Sequence, residues 1–194
     1  VLEDLQKIGA KWLVRETAPV NLLDLIPIYH RWIQNSLLEG LLIDVADYSH
    51  VHQGPGVMII AHDGNYGFDE SGSQRGMLYY AKRPLAGAFD ERLSQVLQRS
   101  LAALDLLARE PALSDRQLEL PRLLHCFSND RLLAPNDDAA RQAFGAMLQP
   151  VIERIYPDGH ELTWIDQDAR ERLCAQITPR QVTTTAELLA RLQG

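Results

Sequence analysis

The sequence predicts an α+β fold, a largely antiparallel sheet covered by helices and preceded by an N-terminal helical segment. Apolar residues recur at helical spacing near both ends of the chain, whereas β-type runs fill residues 41–83 and recur near 122–128 and 160–166. The links within 41–83 are too short for parallel crossovers, so that section is expected to be an antiparallel meander. The chain has 194 residues, 46% of them hydrophobic, with no repeat and no linker-like composition. Residues 1–194 are therefore expected to form one domain around one core.

Taken in order, Leu2, Leu5, Ile8, Trp12 and Leu13 fit one face of a short helix over 2–14, broken at Thr17-Ala18-Pro19. A second helix is expected from Asp24 as N-cap, with Pro27 in its first turn, an apolar face of Ile26, Tyr29, Trp32, Ile33 and Leu37, and a stop at Gly40. Residues 1–40 could then form a helical arm that packs on a partner chain. Strands are expected at 41–47, 57–63 and 77–83, with a further short one at 66–69. Gln53-Gly54-Pro55-Gly56, Asp63-Gly64-Asn65 and Ser71-Gly72-Ser73 supply the turns. From Asp90 a long apolar stripe ending at Leu107, before Pro111, predicts a helix. A strand at 122–128, a helix over 138–156 and a strand at 160–166 follow. Two short helices close the chain, the last opened by a capping box at Thr184-Thr185-Ala186-Glu187.

The net charge of −7 divides almost evenly, −4 over residues 1–97 and −3 over the rest. Sixteen of the 19 cations are Arg, spread along the whole chain. No clustered basic face suggests nucleic acid as a partner. No run approaches the roughly 20 apolar residues that span a bilayer, so no membrane partner is expected either. Cys126 and Cys174, 48 residues apart, make neither a disulfide framework nor a metal knuckle, and read as core thiols of a reducing compartment. The first residues carry Glu3 and Asp4 where a secretory leader carries bases, which points to the cytoplasm. The chain begins without Met, so residues upstream of Val1 are expected.

Potential ligands concentrate at Asp44, Asp47, His50, His52, His62 and Asp63. On a strand His50 and His52 share a face, as two ligands of one divalent metal would. The pair resembles the first two ligands of a cupin, but no Glu follows at four or five residues, and the assignment is not carried over. Hairpin register decides the place of His62. A four-residue loop over 53–56 sets His62 opposite Asp47, a histidine–carboxylate dyad suited to acid–base work. A loop of three or five residues sets it beside His50 and His52, completing a three-histidine metal site. A second polar cluster, Asn129, Asp130 and Arg131, follows a predicted strand and precedes a helix, where Arg131 could hold an anionic ligand. Asn136 or Asp137 is expected to cap that helix.

Two functional readings follow. The first is a self-associating accessory module that binds a small ligand or a protein partner. The alternative is a small metal- or histidine-dependent enzyme centred on His50, His52 and His62.

Overall fold

Residues 8–16 set the architecture. In the computed structural model, which describes residues 1–52, 54–115, 118–166 and 168–193, they form strand β1 (Ile8–Glu16) at the middle of the sheet. Every residue from Ile8 to Leu13 is buried. A strand covered on both faces has no polar side to reveal its period, and the same apolar positions also fit a helical stripe. The expected helix over 2–14 is thus corrected: only Leu2–Asp4 turns, as a single 3₁₀ turn.

Helix α1 (Leu22–Gln34) starts at Asn21, not Asp24; the Asn21 side chain accepts a hydrogen bond from the Leu23 amide at 3.2 Å. Its buried face is Leu22, Leu25, Ile28, Tyr29 and Trp32. The meander follows as β2 (Leu42–Tyr48), β3 (Gly56–Ala61), β4 (Gly64–Asp69) and β5 (Gly76–Ala81). Helix α2 (Phe89–Ala108) leads to β6 (Leu118–Ser128) and helix α3 (Asp138–Ile155), which Asp137 caps by accepting from the Ala140 amide at 2.8 Å. Strand β7 (His160–Trp164) precedes β8 (Cys174–Pro179), and helix α4 (Thr185–Gln193) ends the fold with the expected Thr184–Glu187 capping box. The first of the two expected closing helices is therefore a strand. Its Ala175 and Ile177 are buried between β6 and β7, so pairing partners on both sides decide its state.

The eight strands pair antiparallel in the order β2-β3-β4-β5-β1-β6-β8-β7. Helix α1 packs on β2 and β3, and α2 lies across β1 and β5 with α3 and α4 beside it. Residues 1–40 are accordingly built into this fold, with β1 at its centre, and do not stand apart as an arm. Two buried side-chain bonds lock the layers together. Trp12 Nε1 donates to Ser100 Oγ at 2.9 Å, tying β1 to α2, and Trp32 Nε1 donates to buried Glu110 at 2.6 Å, tying α1 to the end of α2. Arg31 pairs with the same carboxylate. Among the described residues, no helix is long and apolar enough to cross a membrane.

Edge strand β2 carries exposed Leu41 and Ile43 beside it or within it, at 66% and 56% exposure. A β-bulge between Leu42 and Asp44 and the two carboxylates Asp44 and Asp47 interrupt that edge. These are devices that oppose strand-to-strand association.

Candidate functional site

Because side chains alternate along each strand, the register divides the sheet into two faces. One face sends Ile8, Ala10 and Trp12 of β1 into the helix-covered core. The other, which no helix of the described residues covers, gathers Lys11 with its cross-strand neighbours Leu78 on β5 and His125 on β6, and next to His125 comes Gln176 on β8. Tyr80, Asn65, Asp69, Phe127 and Cys174 share this face.

At its centre Lys11 reaches across β5 to Asp69 on β4 and forms a buried ion pair, with Lys11 only 2% and Asp69 4% exposed. Opposite Asp69 the intervening strand offers Gly76, so no side chain stands in that place. The Asp69 carboxylate also accepts from the Ser71 amide at 3.3 Å and from the Ser71 hydroxyl. Lys11 Nζ donates in addition to the Ser71 carbonyl at 3.3 Å. Burial pushes the Lys11 ammonium below its ordinary pKa, and the Asp69 carboxylate opposes that shift. His125, 6% exposed, is held down to about 4, first by burial and then by the positive charges of Lys11 and Arg172, with its bond to Gln176 working the other way. At neutral pH it is an uncharged imidazole whose Nε2 lies 3.2 Å from Gln176 Oε1. That acceptor places the proton on Nε2 and leaves Nδ1 with its lone pair.

Arg172 defines the edge of the cluster. Its guanidinium stacks on the Phe127 ring, 3.9 Å from the centroid. On its other side the ring lies against Gly9, the cross-strand partner of Phe127, where a Cβ would come within 2.2 Å of ring carbons. Glycine, ring and guanidinium thus form a stack. Arg172 takes part in two hollows, of about 350 Å³ and about 260 Å³. Met58, Ile60, Leu78, Asn65, Tyr80 and Asn129 help to line the larger, and Lys11, His125, Cys174, Asp166 and Glu171 help to line the smaller. Among the described residues the Arg172 guanidinium has no hydrogen-bond or ion-pair partner. In the larger hollow Asn65 donates to Tyr80 Oη at 2.7 Å, and its own Oδ1 is buried without a partner among the described residues.

The residues singled out from sequence lie mostly elsewhere. The β2–β3 register pairs Asp47 with Val57 and Tyr48 with Gly56, leaving seven residues in the connection. Gln53 of that loop lies outside the described residues. The connection is odd in length, as the metal reading required, but it is long enough to remove His50 and His52 from the strand into the turn. His62 follows β3 at the opposite end of the hairpin, about 20 Å away along the strand. It is half exposed, with Nδ1 2.7 Å from Asp63 Oδ1, its sequence neighbour. Asp47 instead accepts from the Ser49 amide at 2.8 Å, so neither the His62–Asp47 dyad nor the His50–His52–His62 triad forms. Among the described residues no group of three or more His, Cys, Asp or Glu side chains could hold a metal ion.

Of the second cluster, Asn129 lines the larger hollow, so it does meet Arg172. Asp130 caps the following turn, accepting from the Leu133 amide at 3.1 Å, and Arg131 is exposed. Cys126 and Cys174 are free and buried, and burial raises both thiols, Cys174 to about 11, so neither is a ready nucleophile.

Sequence reasoning missed Lys11, Asp69, His125, Arg172 and Gln176. Lys11 had a signal: a charge inside Ile8–Leu13, an otherwise apolar run, has to be paired if that run is buried. Asp69, Arg172 and Gln176 had none, being joined to Lys11 only through pairing of strands distant in sequence. Comparison of the chain with protein-family models, curated proteins and solved structures gives no match.

Proposed function

We propose that the chain is a binding module that seats a small ligand on the helix-free face of its sheet, with Arg172 as the principal polar contact. The observation that carries the reading is the state of Arg172: oriented by stacking on Phe127, unpaired among the described residues, and shared by two adjoining hollows. A structural arginine at such a place would be expected to hold a carboxylate or carbonyl of its own chain, as Arg75 does with Glu16 and the Val20 carbonyl. The larger hollow falls in the size range of small-molecule sites, and it sets apolar walls beside a few convergent polar groups. Asp69, which lines it, is held by Lys11 and Ser71. Ligand binding of this kind uses no covalent step, in keeping with neutral His125 and the raised cysteine thiols.

Chemical-shift mapping of the full chain with a mixed set of neutral, acidic and basic fragments tests this. Hits are expected to move amide signals around Asn65, Leu78, Tyr80 and Arg172. Hits confined to another concavity, such as the apolar one beside Leu13, Leu123 and Val182, would refute it.

A further inference from the structure

We infer that the larger hollow takes a monoanionic carboxylate ligand with an apolar body, its carboxylate on the Arg172 guanidinium and its body against Met58, Ile60 and Leu78. This rests on the binding-module reading above and names the ligand class of that same face.

Charge accounting selects the class. Among the described residues lining this hollow, the charged side chains are Asp69 and Arg172. Asp69 is already neutralised by Lys11 and held by Ser71, so Arg172 remains the one lining charge without an ion-pair partner among the described residues. A single guanidinium offers a planar fork of N–H donors that matches a carboxylate in two parallel bonds. A doubly charged phosphate would leave one negative charge without a partner, in a place where Asp69 stands close and water is partly excluded. The smaller hollow is less suited to an anion, since Asp166 and Glu171 line it with Arg172. The polar groups that line the hollow with Arg172 are of the right kind for orienting a ligand. The Asn65 amide is nine-tenths buried with Oδ1 unpartnered among the described residues, and Asn129 is exposed. An unsettled amide in the wall of a hollow costs stability, which a purely structural wall would have no reason to retain. The apolar side of the hollow asks for a hydrocarbon or aromatic body, so simple short acids would fill it poorly.

The test uses matched probes on the intact chain: phenylacetate and 3-phenylpropionate, each beside its primary amide, with inorganic phosphate as a third arm. Chemical-shift titration gives both location and affinity. The expected result is saturable movement of signals around Asn65, Leu78, Tyr80 and Arg172 with the acids, much weaker movement with the amides, and none with phosphate. Arg172→Gln should weaken the acids by about ten- to hundredfold while leaving the amides unchanged. Arg172→Lys keeps the charge and loses the planar fork, so it should fall between, and the wild-type acid–amide comparison stands whether or not either variant folds well. Equal binding of acids and amides on this face would overturn the carboxylate assignment and leave the binding-module reading intact. Phosphate binding tighter than either acid would overturn it in favour of a phosphate ligand. If neither acids nor amides saturate on this face, both readings fall.

Discussion

Replacing Asp69 by Ala should strand a buried ammonium, and the size of the loss can be worked from the contacts. Lys11 Nζ would keep only the Ser71 carbonyl, at 3.3 Å. Breaking one side of a buried pair costs about 3–5 kcal/mol. The ammonium has one escape, deprotonation. From its ordinary value of 10.5 this costs about 5 kcal/mol at pH 7 and only about 2 kcal/mol at pH 9, which sets a ceiling that falls as pH rises. The sign follows from proton counting. With the folded-state pKa of Lys11 below the unfolded value, the folded variant binds fewer protons, and its stability climbs as pH rises toward 10.5. Asp69→Ala should therefore lose about 3–5 kcal/mol at pH 7, a drop of about 6–20 °C in Tm, and recover much of its deficit by pH 9. Lys11→Met should cost less and show no such recovery, because Asp69 keeps both Ser71 donors. Lys11→Met/Asp69→Leu removes both charges and should lie within about 1–2 kcal/mol of wild type. Urea denaturation of the four proteins at pH 7 and 9 reads all of this. An Asp69→Ala deficit below about 1 kcal/mol, or one unchanged between the two pH values, would refute the buried-pair account.

Three further outcomes are expected. His125, lowered from 6.5 to about 4, should make the folded state lose about 3 kcal/mol as pH falls from 6.5 to 4, since the unfolded chain takes up the proton first. Stability measured at pH 7 and pH 4.5 should show most of this loss, about 2–2.5 kcal/mol, in wild type and not in His125→Gln; parallel losses in the two proteins would contradict it. Gly9→Ala should cost roughly 1–3 kcal/mol by pushing the Phe127 ring off its glycine floor, and Phe127→Leu in the same chain should restore part of that; a neutral Gly9→Ala would mean the ring does not lie there. Asp44→Val combined with Asp47→Thr should turn β2 into a self-adhesive edge, raising the sedimentation coefficient with concentration relative to wild type. Identical sedimentation would show that the bulge alone protects that edge.

The legible parts of the fold were those with local chemistry. The stripe from Phe89 to Leu107 predicted α2 because an amphipathic helix displays its period, and the turns after Ala61 and Asp69 announced the meander because glycine and aspartate favour tight reversals. The α4 capping box was readable residue by residue. β1 was misread as a helix because burial on both faces removes the alternation that marks a strand. The placement of the histidines was illegible for a related reason. Their roles hung on a loop length, and a connection of seven residues moved His50 and His52 off the strand altogether.

Sequence by itself determined the class of fold and the order of the meander and the helices that follow it, which depend on composition and on spacing within single elements. Tertiary structure alone decided the site. Lys11, Asp69, His125 and Arg172 come from four separate stretches. Antiparallel pairing sets β1 between β5 and β6 with β4 beyond β5, which brings the first three to one face, and Arg172 joins them from the segment just before β8. A histidine cluster close in sequence was spread along a hairpin, while a lysine in an apolar run became the centre of the polar face. Register across strands distant in sequence is a property of the whole sheet, and no local pattern encodes it.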